Sequence, residues 1–243
     1  MSWSTQQLFR YCERGADPAF WGEPINALTN GAFILAAVAA AVSLLRRQDQ
    51  RAGAVDTLAI AAMIALVFVI GVGSFLFHTT ATRWAALADT VPIGVFMLAY
   101  MAYALRVFLK LGWIWVALGL ALFIAALQYA SGLQCRPGLI SGAAAVSGRC
   151  LNGTAGYIPA FMAMIGIGTV LRIQDHPAAN SLLAAGMIFL ASMFFRTIDF
   201  EVCGLTRLGG QEVGTHFLWH VLNALTLYLL LRAAVFYGQR RAT

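Results

Sequence analysis

Charge is what this sequence has least of. Only 11% of its 243 residues are Asp, Glu, Lys or Arg, less than half of the roughly 25% found in a water-soluble domain. With 60% hydrophobic residues, that scarcity excludes an ordinary soluble enzyme and leaves a polytopic integral membrane protein. The formal net charge of +6 does not point to nucleic acid, because the basic residues stand singly or at the ends of apolar segments rather than on one stripe. They read as topology signals and lipid-headgroup contacts. Cysteine is scarce as well: Cys12, Cys135, Cys150 and Cys203 are too few for a disulfide scaffold. No cleavable signal peptide is expected, since the first 20 residues are polar and the first apolar run is long enough to stay in the membrane. No internal repeat and no separate soluble domain stand out, so residues 1–243 are expected to form a single unit.

Windows of about 20 apolar residues place seven spans, at roughly 27–45, 57–78, 85–106, 112–131, 154–172, 179–199 and 214–236. The expected fold class is an all-α membrane protein, a seven-transmembrane helix bundle. Its connections are short except for 132–153, which is rich in Gly, Ser and Ala. Arg46, Arg47 and Arg51 follow the first span and by the positive-inside rule place that loop in the cytoplasm. The N-terminus is then outside and the C-terminus cytoplasmic, with Arg106, Lys110, Arg172, Arg240 and Arg241 in agreement. Arg10, Arg14, Arg83, Arg136, Arg149 and Arg207 run against the bias. All four cysteines fall at the outer face, a compartment that permits disulfides. Four cysteines allow three connectivities; Cys135 with Cys150 and Cys12 with Cys203 is the favoured one, and four reduced thiols are the alternative.

Polar residues in or beside the spans gather at one depth. Ser74 and His78 stand four apart near the end of the second span, Asp89 lies in the first turns of the third, Arg196 and Asp199 end the sixth, and His216 and His220 open the seventh. Positions four apart project from one helical face about one turn from each other, a chelating geometry for two imidazoles. The ends of spans two and six meet the same side of the membrane as the starts of spans three and seven. Three of the four histidines therefore share a layer near the extracytoplasmic face.

Three neutral imidazoles and an open fourth position make the ligand set of a catalytic zinc, the default metal for such a set without thiolates. Burying polar groups in a membrane costs on the order of 2.5–3.5 kcal/mol per charge, whereas a structural zinc returns about 10–16 kcal/mol. A metal-activated water can attack a carbonyl carbon near neutral pH. Asp89 is the expected general base, and Ser74 the donor to the developing oxyanion. A lone membrane histidine is more often a helix-packing hydrogen bonder, and a b-type haem, which needs ligands on facing helices, fits the four-residue pair poorly. His176 reads as a solvated inner-loop residue, and Arg196 with Asp199 as a structural ion pair.

Ser-x-x-x-His (Ser74, His78), Asp89 eleven residues on and His-x-x-x-His (His216, His220) in the last span resemble the CREST superfamily of membrane hydrolases, and within it the alkaline ceramidase family. "EPINALTN" is similar to that family's entry into the first span, through Glu23, Asn26, Thr29 and Asn30. "DFEVC" is similar to its Asp-x-x-x-Cys before the last span, through Asp199 and Cys203. The resemblance covers essentially the whole chain. It implies that His78, His216 and His220 bind zinc, that Asp89 and Ser74 assist the bound water, and that Cys12 pairs with Cys203. It also implies an amidase that splits ceramide, or a related N-acyl lipid entering from the bilayer, into a sphingoid base and a fatty acid. Animal members carry a calcium site to which Glu13 and Glu23 correspond here. Arg10 and Gly15 stand where an acid and an amide are expected, and an arginine beside a hard cation argues against calcium. No protein partner is implied. Two other classes compete: a receptor-like protein of the adiponectin or progestin receptor type with a structural zinc, and a transporter relaying ions through the His/Asp cluster. Tiny soluble segments leave the first little surface for an effector, and Pro92 and Pro159 near span starts are weak support for the second.

Overall fold

The computed structural model of the chain describes residues 2–47, 54–135 and 150–238. Arg51, Arg136, Arg149, Arg240, Arg241 and most of the long loop lie outside the described residues. Seven helices are long and apolar enough to cross a membrane: Pro24–Arg47, Asp56–Thr80, Arg83–Phe108, Trp113–Gly132, Cys150–Ile173, Ala179–Thr197 and His216–Tyr237, hereafter the first to seventh spans. Among the described residues, strand is confined to a two-residue hairpin, β1 (Arg207–Leu208) against β2 (Gln211–Glu212), between the sixth and seventh spans. Gly209 and Gly210, both at positive φ, turn it.

The spans differ from the expected ranges where local chemistry bends the chain. Pro24 opens the first span at a position where its missing N–H costs nothing. The fifth begins with a tight turn through Leu151 and Asn152, both in the left-handed region, before regular helix starts at Ile158. The sixth stops at Thr197, so Asp199 stands beyond the helix and not within it.

Consecutive spans pack side by side, and the first also packs against the seventh. The seventh is the most enclosed of the set. Lipid offers no hydrophobic drive between helices, so close packing depends on small side chains. Ala36, Ala37 and Ala40 of the first span and Ala233 and Ala234 of the seventh are buried in that way. The fourth span faces outward, with Ile114, Leu122 and Tyr129 exposed, as suits contact with acyl chains.

One close approach sets up the site. A Cβ on Gly73 of the second span would overlap the carbonyl oxygen of Ala88 on the third. Pro92, inside the third span, has no N–H to give that carbonyl, which sits four residues before it. Glycine on one helix and proline on the other thus bring two backbones together, and the next residues along, Ser74 and Asp89, come face to face.

The segment before the first span lies across the same end of the bundle. Leu8 donates to the Ala81 carbonyl and Arg83 to that of Gln6, while the disulfide Cys12–Cys203 ties the segment to the connection before the seventh span. A second disulfide joins Cys135 to Cys150. Both pairs are the favoured ones, and among the described residues no cysteine is free.

Candidate metal centre and reaction cavity

His78 closes the second span, and His216 and His220 occupy the first two turns of the seventh. All three are about 1% exposed, and one ligand nitrogen from each lies within 4.8 Å of the others. Their ring centroids are 4.6–5.2 Å apart. Such crowding of buried imidazoles is unfavourable unless something between them uses their lone pairs.

Neighbouring residues fix which nitrogens are left for that purpose. The Glu23 carboxylate accepts from His78 Nδ1 at 2.5 Å, so the proton sits on Nδ1 and Nε2 carries the lone pair. Nε2 of His78 is buried with no hydrogen-bond partner. The Thr29 hydroxyl lies 3.0 Å from His220 Nδ1 and donates its single proton to the carbonyls of Ile25 and Asn26. It therefore accepts from His220 Nδ1–H and frees Nε2. His216 stacks on Tyr11, with centroids 3.7 Å apart, and its Nδ1 is a second buried, partnerless nitrogen. Outer partners that orient metal-binding imidazoles in this manner are the usual support of a metal site. The three histidines could hold a metal ion. Cys12, Cys203 and Glu212 also lie close together, but a disulfide removes the two thiolates.

Behind His78 is a residue that sequence reading passed over. Arg14, 2% exposed, donates Nε to Glu23 Oε1 and further N–H groups to the carbonyls of Asp17, Ala19, His78 and Thr79. One guanidinium thus holds the carboxylate that orients His78 and the backbone that carries it. Burial would raise the Glu23 carboxyl, but His78 and Arg14 outweigh that and hold it below its ordinary value. The Glu13 oxygens accept the N–H groups of Ile25 and Asn26, and burial leaves this carboxyl raised. Each oxygen of Glu13 and Glu23, the pair expected for calcium, accepts a hydrogen bond, and the Arg14 guanidinium lies against Glu23.

Arg196 and Asp199 do not form the ion pair expected of them. The Asp199 carboxylate instead accepts the N–H groups of Cys12, Thr215 and His216, capping the seventh span from outside, while burial raises its carboxyl. Gly214, at φ +67, leaves room for it, since a Cβ there would strike Asp199. Arg196 points at aromatic rings instead. His176 is half-buried rather than solvated, with its ring 5.6 Å from Phe108 and Nδ1 accepting from the Ala178 N–H.

The centre opens into a cavity of about 250 Å³ lined by Ser74, Asp89, His216, His220, Tyr157, Arg196 and Trp219, among others. The Ser74 hydroxyl lies within hydrogen-bonding reach of the Asp89 carboxylate. Burial pushes the Tyr11 hydroxyl up to about 12, with Arg196 acting in the opposite direction. A second cavity, of about 70 Å³, shares Ile93, Met97 and Tyr157 with the first and is walled by Phe96, Tyr100, Phe123, Phe189 and other apolar groups. Histidines, a carboxylate and a hydroxyl thus line one cavity, and the neighbouring one is walled by apolar side chains. A family model described as Ceramidase matches residues 11–239. No curated protein matches the chain.

Proposed function

The chain belongs to the ceramidase family, and on that premise we propose that it is a single catalytic unit, a zinc-dependent intramembrane amidase releasing a sphingoid base and a free fatty acid. Membership implies a hydrolase acting on the amide bond of ceramide, and a multi-pass membrane protein with a lipid substrate. The observation that carries the finer reading is the pair of partnerless nitrogens, His78 Nε2 and His216 Nδ1, within the cluster of three imidazoles that shares its cavity with Asp89 and Ser74.

Zinc held by His78, His216 and His220 supplies Lewis-acid polarisation of a carbonyl and acidification of water. The rest of the reaction falls to side chains. Asp89 takes the proton of the attacking water and returns it to the nitrogen of the departing amine, so that the C–N bond breaks with a neutral leaving group. Ser74 hydrogen-bonds the oxygen that becomes anionic and steadies Asp89 between turns. Glu23 and Thr29 hold two of the three rings in the tautomer that leaves Nε2 free. The apolar cavity takes the acyl chain, with the amide at the boundary between the two compartments. With the N-terminus outside, as the arginines after the first span suggest, the centre faces the extracytoplasmic side.

Family membership favours this reading over a receptor-like protein with a structural zinc. The test uses purified protein in detergent or proteoliposomes. About one zinc per chain, fatty acid released from ceramide and loss of release on chelation are expected. Zinc without release from any N-acyl lipid would point to the receptor-like alternative, and absence of zinc would remove the proposed chemistry.

A further inference from the structure

Resting on that reading of the cavity, we infer that Arg196 binds one oxyanion of the lipid ligand, either an acidic head group of the substrate or the carboxylate of the released fatty acid. Arg196 ends the sixth span, and its guanidinium carbon lies 4.9 Å from the ring centre of Trp219, 5.5 Å from that of Tyr157 and 5.8 Å from that of Tyr11. Among the described residues no carboxylate comes within ion-pair distance of it. Asp199, the nearest acid in sequence, is taken by three backbone N–H groups. The Tyr11 hydroxyl is within hydrogen-bonding reach, yet Nε is buried with no partner.

A guanidinium offers five N–H donors in a fixed plane. Aromatic faces offset part of the cost of burying its charge but accept no hydrogen bonds in that plane. Packing alone calls for no cation here, since a methionine or leucine would fill the same space among three rings without burying one. What the geometry lacks is a planar acceptor, and Arg196 is among the residues that line the cavity holding His216, His220 and Asp89. Carboxylate and related oxyanions match an arginine fork through two parallel hydrogen bonds. Both sources of such a group are at hand: amide hydrolysis makes a carboxylate at this centre, and a lipid whose amine half is acidic brings one with it.

The experiment compares wild-type protein with Arg196→Lys, Arg196→Gln and Arg196→Met, all purified with their metal and checked by melting temperature and metal content. Palmitate, hexadecanol and N-palmitoylglycine are titrated by calorimetry. Wild-type protein should favour a carboxylate ligand over the alcohol; Arg196→Gln and Arg196→Met should lower that preference by about tenfold, and Arg196→Lys should lower it less. If the head group is the source, kcat/KM on N-palmitoylglycine falls about tenfold more in Arg196→Met than kcat/KM on ceramide does. If the product is the source, both substrates respond alike and inhibition by palmitate weakens about tenfold. A wild-type protein indifferent to the carboxylate, or a preference left undiminished in a folded Arg196→Gln or Arg196→Met protein, overturns the assignment. Binding is read whether or not the protein turns over an amide. Carboxylate binding by a protein that hydrolyses nothing would therefore remove the hydrolase reading and leave this one standing.

Discussion

Replacing Glu23 with glutamine removes one negative charge from the support of the metal centre while keeping the size of the side chain. In the native site the two carboxylate oxygens divide the work, Oε1 taking Arg14 Nε and Oε2 taking His78 Nδ1. A glutamine has one acceptor oxygen and must turn its NH₂ toward one of these donors. Loss of an outer carboxylate behind a metal-binding imidazole lowers metal affinity by about 10–100-fold, or about 1.4–2.7 kcal/mol. The same change strips Arg14 of its counterion. Breaking a buried pair costs about 3–5 kcal/mol, and both side chains here are at most 1% exposed. Arg14 keeps four carbonyl acceptors, so the loss of stability should fall toward the lower end of that range. Zinc affinity is measured against a competing chelator, and stability by thermal melting in detergent. Glu13→Gln is the control: Glu13 is also buried but holds only backbone N–H groups, so it should lose stability and keep zinc affinity within about twofold. Glu23→Gln protein that binds zinc as tightly as wild type, or Glu13→Gln protein that loses as much affinity, would refute the reasoning.

Asp89→Ala should lower turnover by about 10²–10⁴-fold and Ser74→Ala by about 10²–10³-fold, with zinc content unchanged by elemental analysis; full activity in either variant removes that residue from the mechanism. Gly73→Ala should drive the second and third spans apart at Ala88, lowering both melting temperature and turnover, and an unchanged variant would show the contact to be dispensable. Cys12→Ser with Cys203→Ser should cost about 2–5 kcal/mol of stability, seen as a lower melting temperature; an unchanged one would show the bond to be dispensable.

Much of the bundle is legible in composition because a bilayer forces each span to be long and apolar, and all seven expected ranges differ from the helices only at their ends. The sixth helix ends two residues before the expected limit: Asp199 follows an apolar run without a breaker, and only its tertiary task, capping another helix, explains why it stands outside. The gathering of His78, His216 and His220 is legible from depth, since counting spans brings the relevant ends to one side. Their orientation is not. Thr29 and Glu23 reach their imidazoles across 191 and 55 residues of sequence, and no local period reports such a pairing. Arg14 sits in a short polar stretch with no pattern of its own. The spacing of three between Arg196 and Asp199 suggests an ion pair, whereas backbone donors from elsewhere claim the acid.

Asp199 draws together Cys12 and the start of the seventh span, parts of the chain 187 and 16–17 residues away from it. A survey that scores variants only by lost activity would therefore rank this aspartate beside Asp89, though it borders none of the space where the amide reacts. The two would part company in how they fail: one protein intact and idle, the other unable to keep its roof closed over the imidazoles.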